Sequence, residues 1–93
     1  MDTITDEMLD KYFDVTSRAI KAVEGNINEE HKEKADIFFK MAQDYYDDAD
    51  HFRDRGDKLL AYGALNYAHA WLDAGARVGF FKVYDSDLFT VDG

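Results

Sequence analysis

Apolar residues recur along the chain at alternating steps of three and four, the spacing of one face of an α-helix. Three such runs are present. The first carries Leu9, Tyr12, Phe13, Thr16, Ala19, Ile20 and Val23, a single amphipathic stripe. Thr3 or Thr5 can cap its start, and Asp6 and Glu7 suit the positive end of the helix dipole. Gly25 and Asn26 are expected to stop it, as residues that tolerate a left-handed backbone. The second run is Ala35, Phe38, Ala42, Tyr45, Ala49 and Phe52, a heptad-like seam of small and large residues in alternation. Asn28 is its expected N-cap. Ile37, Phe39, Met41 and Tyr46 widen its apolar surface, which predicts contact with two neighbours. Arg53 and Arg55 suit its last turn, and Gly56 ends it.

The third run opens on Asp57 as cap. Ala61, Ala64, Leu65, Ala68, Leu72, Gly75 and Gly79 form a face of mostly small residues, predicted to press closely on a partner helix. Leu60, Tyr67, Trp71 and Val78 form a second, bulky face. Gly75 costs roughly 1 kcal/mol of helix propensity relative to Ala, which a close backbone approach would justify. After Gly79 the helical period is lost, and residues 80–93 read as a tail. Phe80, Phe81, Leu88 and Phe89 are able to pack back over the helices. The chain has no proline, which suits long unbroken helices. Short turns between long helices make antiparallel neighbours. The predicted fold is therefore all-α: an up-down-up antiparallel three-helix bundle with a short C-terminal tail. The expected helices are 6–24, 29–55 and 58–79, within one domain over 1–93.

Composition narrows the function classes. The 93 residues carry a net charge of −9. An acidic surface repels phosphate backbones, so neither nucleic acid nor an anionic membrane is an expected partner. The acidity serves solubility, or else a basic partner surface. There is no cysteine, which removes disulfides, iron–sulfur clusters, thiolate zinc sites and a cysteine nucleophile. The segment MDTITDEMLDKYF lacks the basic start and apolar run of a signal peptide, and no window is apolar enough to span a membrane. The expected location is the cytoplasm. Aromatic residues make up 15% of the chain, enough for a true core despite the charge.

Candidate chemistry is sparse. His69, Asp73 and Arg77 follow one another at four-residue steps, so each can reach the next. They read as a structural polar cluster that fixes helix register. Asp44, Asp48 and His51 lie three or four apart on the second helix, and facing helices would bring Asp48 towards His69 or Asp73. Asp48 and His51 imitate the carboxylate-x-x-His step of metal sites in helical bundles, although those sites use Glu and need two copies. His31 is expected to be solvated, and the Asp47, Asp48 and Asp50 run to be a solvated face. No phosphate-binding glycine loop appears, because Gly63, Gly75 and Gly79 lie within a helical pattern. Ser17 and Ser86 have no triad partners. A single helical hairpin through Gly56-Asp57 is not a repeat array. Helical ribonucleases with an Arg-x4-6-His motif do not compare, since the residues four to six positions before His69 (Gly63, Ala64 and Leu65) include no Arg and the wider spacing supplies none. No cofactor is expected.

From Tyr45 to Gly79 the sequence resembles an archaeal family known as domain-of-unknown-function family 357. The residues that carry the likeness are Tyr45 or Tyr46, Asp48-Ala49, Phe52, Gly56-Asp57, Ala61, Tyr67-Ala68-His69 and Trp71-Leu72-Asp73-Ala74-Gly75. The closing Leu88-Phe89-Thr90-Val91 is also similar. The resemblance implies a compact three-helix bundle of archaeal, cytoplasmic origin and no particular activity. Two functional readings follow. One is a non-enzymatic helical interaction or structural module. The other is a metal-dependent enzyme using Asp48, His51, His69 and Asp73. A homodimer is also expected, because Phe39, Tyr46, Trp71, Phe80, Phe81 and Phe89 exceed what three helices bury and would form the interface. The alternative is that the tail covers this patch within one chain.

Overall fold

The protein is described by a computed structural model covering residues 3–90. Three helices follow in order: α1 at Asp6–Glu24, α2 at Lys32–Asp54 and α3 at Lys58–Arg77. Together they form the predicted all-α bundle. The second helix starts later than the pattern suggests. Asn28 accepts from the Glu30 amide and caps a short 3-10 turn, Glu29–His31, before α2 begins. Thr5 and Asp57 cap α1 and α3 by accepting the amides of Met8 and Leu60, both at 3.1 Å.

The helix ends depend on two glycines. At Gly56 and Gly79 φ is +79° and +85°, the left-handed region that favours glycine. In each case the residue after the glycine donates to a carbonyl five positions back: Asp57 to Phe52 at 2.9 Å and Phe80 to Gly75 at 2.8 Å. This is the Schellman closure, which satisfies carbonyls that a helix end leaves unpaired. Gly79 therefore terminates α3 and is not part of its small-residue face. Gly25 also departs from expectation, with φ at −89°. There the Asn26 side chain donates to the Ala22 carbonyl at 2.7 Å and closes α1.

The contact between α2 and α3 is the most extensive in the bundle. Its buried residues on α2 are Ala35, Ala42 and Ala49, all fully enclosed. On α3, Ala61, Ala68 and Gly75 recur at the same seven-residue step. Small side chains at this repeat let the two axes come close. They leave little volume between the two axes, so the large buried side chains sit beside this seam, with Leu65 and Leu72 on α3 itself. Leu9, Phe13, Ile20 and Val23 come from α1, and Phe81, Val83, Leu88 and Phe89 come from the segment after α3.

That segment is thus a structural element, not a loose tail. Phe81 and Phe89 are 1% and 3% exposed, so they are not available for the expected self-association face. Phe39, Tyr46, Trp71 and Phe80 are half-buried against the same core. The segment is tied to the α1–α2 connection by Asn28 donating to Phe80 O at 2.9 Å and Lys82 donating to Asn26 O at 2.7 Å. The Asn28 side chain adds a bond to Gly79 O at 2.8 Å.

Gly75 explains how Phe81 enters. A Cβ at this position would run into the Phe81 ring, so the close approach foreseen for Gly75 is made by an aromatic ring rather than a helix backbone. Gly75→Ala is expected to destabilise the fold by about 1–3 kcal/mol through overpacking. That outweighs a helix-propensity gain of up to about 1 kcal/mol. Urea denaturation measures it, and the loss should shrink when Phe81→Leu is introduced alongside. An equal loss in both backgrounds would separate Gly75 from Phe81.

Candidate functional site

The row His69, Asp73 and Arg77 runs along α3, and all three side chains fasten the segment that follows the helix. The His69 Nε2–H donates to the Leu88 carbonyl at 2.6 Å, since a carbonyl can only accept. Its Nδ1 then faces the hydroxyl of buried Thr16 on α1 at 3.2 Å. Asp73 accepts the Thr90 amide at 2.9 Å and the Thr90 hydroxyl at 3.2 Å. Arg77 donates to the Thr90 carbonyl at 3.1 Å. His69 and Asp73 lie 3.7 Å apart. A shallow cavity of about 310 Å³ opens beside them, lined by Tyr12, Thr16, Asn66, His69 and Asp73 among others. Periodicity singled out the row on α3 but not its partners. Leu88 and Thr90 contribute mainly backbone, which carries no residue signature.

Asp48 and His51 lie elsewhere. They face outward on α2 beside Phe52, Asp54 and Arg55, at the end near the α2–α3 turn. The bridge from Asp48 to His69 or Asp73 is not formed, because α3 turns His69 towards α1. Among the described residues, no three His, Asp or Glu side chains come together as a metal-binding group. His31 is exposed, with its ring 5.6 Å from that of Phe80.

The charge pattern of the exposed positions marks a different region. On α1, eight of nine exposed positions are charged, and on α2 ten of thirteen. On α3 the exposed positions between Lys58 and Arg77 are Leu59, Leu60, Gly63, Asn66, Tyr67, Ala70 and Ala74, and none is charged. At about 100° per residue they span a single arc of about 120°. Leu59, Leu60 and Tyr67 are 72%, 48% and 55% exposed. The second, bulky face of α3 is therefore largely in solvent at Leu60, Tyr67 and Val78. Tyr67 stacks on Tyr45 of α2, with ring centroids 4.5 Å apart. Between the two helices runs a groove of about 300 Å³, walled by Tyr45, Phe52, Leu59, Leu60 and Tyr67, with Gly63 and Ala64 in its floor. Asp48 stands on its α2 rim.

Gly63 has no intramolecular reason to be glycine. Its backbone is helical, and a Cβ there would meet nothing within 4 Å. The sequence pattern does show Gly63, Leu60 and Tyr67. What identifies the region is that the arc is free of charge, and this is legible only once the buried faces are known.

The architecture is that of a small all-α domain whose α2–α3 hairpin carries α1 and an ordered C-terminal segment. The chain belongs to the family described as protein of unknown function, DUF357, whose model matches residues 11–81. The match ends at Phe81, so the likeness at Leu88–Thr90 lies beyond it, and Val91 lies outside the described residues. No curated protein and no solved structure matches the chain.

Two stability measurements test these assignments. Asp73→Ala removes both bonds to Thr90 and should cost about 1–2 kcal/mol, with faster amide exchange at Thr90 and unchanged helical circular dichroism. A protected Thr90 amide in that variant would show that Asp73 does not hold the segment. Gly63→Ala should stabilise the protein by about 0.5–1 kcal/mol, the usual gain for a helix-interior glycine free of packing constraints. A lower melting midpoint would mean that the site is filled.

Proposed function

We propose that the protein is a non-enzymatic helical interaction module, and that its interface is the uncharged face of α3 together with the groove against α2. The observation that carries this reading is the contrast between helices. Two of them expose mostly charge, and the third, between Lys58 and Arg77, exposes Leu59, Leu60, Tyr67, Asn66 and small residues with no charge among them. A helix that is apolar on its outer as well as its inner side is one that is buried when at work. An exposed apolar patch on an otherwise charged small domain marks a binding surface. The polar row His69, Asp73 and Arg77 supports a structural role, since each side chain is engaged in holding residues 88–90. The absence of cysteine and the acidic charge fit a cytoplasmic setting. No helix is long and apolar enough to cross a membrane among the described residues.

A photo-reactive amino acid placed at Tyr67 or Leu60, and as a control at Asp14 on α1, tests the reading in the native cell. Covalent adducts are expected from positions 60 and 67 and not from position 14. Adducts of equal yield from all three, or none from 60 and 67, would remove this face from consideration.

A further inference from the structure

We infer that the occupant of the α2–α3 groove is an amphipathic helix of another protein, with a narrow apolar stripe flanked by Lys or Arg. This rests on the interface reading above and adds the chemistry of the partner.

The groove has the shape for a helix. The α2–α3 pair carries α1 on one side, received by Leu65, Leu72 and the His69 edge of α3. The opposite side presents the same kind of channel between the same two helices, and it stands empty of any chain segment among the described residues. A helix set there repeats on the open side what α1 does on the closed one, the helix-in-groove mode. The floor supports this. Gly63 and Ala64 are the only small residues lining the groove between the bulky walls of Leu59, Leu60, Tyr45 and Tyr67. With no side chain at Gly63, an incoming helix axis can approach closely at the centre of the channel. That gives the glycine the packing reason it lacks within the chain.

Charge selects the partner. The α2 rim of the groove carries an acid: Asp48 lines it, and Asp48 and Asp54 stand beside the neighbouring hollow with His51 and Arg55. Neither has an ion-pair partner among the described residues, whereas Asp44, Asp36 and Asp50 are each bridged to a lysine or arginine. Arg55, the nearby cation, lies over the Phe52 ring. The chain as a whole carries −9, so a second copy would bring acid to acid, while a basic flank is attracted over a distance. The occupant is therefore apolar along the centre line and cationic on the flank that meets α2.

The test uses a synthetic helical peptide of about 18 residues, long enough to run roughly 27 Å along the groove. Leu and Ala form its stripe, with Lys on both flanks. Two controls accompany it: one with Glu for every Lys, and one of the same composition with the stripe scrambled. Binding to the isotope-labelled full chain is followed by amide shifts. The expected result is shifts centred on Asp48, Leu60, Gly63 and Tyr67 with the first peptide only. Gly63→Gln and Asp48→Lys should each weaken binding at least about tenfold, equal to about 1.4 kcal/mol, while Asp14→Lys on α1, with the same change in charge, changes it little. Equal binding of the scrambled peptide, or shifts spread over α1, would reduce the effect to bulk charge and overturn the proposal. Failure of all three peptides would overturn it too. If position 67 still cross-links to another protein, only the partner chemistry is wrong. If it cross-links to nothing, the interface reading falls as well. A dimer by light scattering that Tyr67→Lys converts to monomer would put a second copy in the groove and reject a basic helix.

Discussion

The rest of the fold depends on how closely α2 approaches α3. Ala35, Ala42 and Ala49 are all that α2 buries completely, and α3 answers with Ala61, Ala68 and Gly75 on the same repeat. Such a pair of helices is tightly packed but encloses few large side chains of its own, Leu65 and Leu72 of α3. Burial of apolar area is the main stabilising term for a chain of this size, and a small domain has little of it to spare. Much of the area must then come from other elements. At the end near the α2–α3 turn it comes from Leu9 and Phe13 of α1, aided by Arg53 lying 3.8 Å over the Phe13 ring. At the opposite end it comes from Ile20 and Val23 together with Phe81, Val83, Leu88 and Phe89.

This division explains what the sequence made legible. The helices were readable because their periodicity is imposed by burial on a regular backbone, and the alanine face of α3 was readable for the same reason. Residues after Gly79 were not, since irregular backbone has no period to display. Its burial is decided by contacts with Asn26, Asn28, His69 and Asp73, far away in sequence. Of the aromatics that suggest an external interface, Phe81 and Phe89 are buried inside the chain, with Phe81 occupying the space that Gly75 leaves. The polar row on α3 was visible as spacing, but its task depended on the path of residues 88–90. Helical phase alone does not say which neighbour a face meets, so it does not separate Asp48 from His69.

The uncharged arc of α3 is a different kind of signal. Neither Leu60 nor Tyr67 is unusual as a residue, and single exposed apolar side chains are ordinary. The arc becomes informative through the comparison with α1 and α2, which are exposed to the same solvent and are almost uniformly charged. A helix-interior glycine in open space adds to it, because a chain with so small a core gains nothing from a flexible residue there.

The pairing of Asn26 and Asn28 with Phe80 and Lys82 also bears on how the molecule assembles. The Asn28 side-chain bond to Gly79 joins residues 51 positions apart. The α2–α3 hairpin, by contrast, closes through a turn of a few residues. Loop-closure entropy favours short-range contacts early and charges long ones in full before they are rewarded. The hairpin can therefore form first, and the long-range closures, α1 on α3 and the α1–α2 connection on Phe80 and Lys82, follow it. Pulse-labelled exchange during refolding would see this as protection of the Ala68 amide ahead of that of Lys82, and simultaneous protection would argue for a single concerted step.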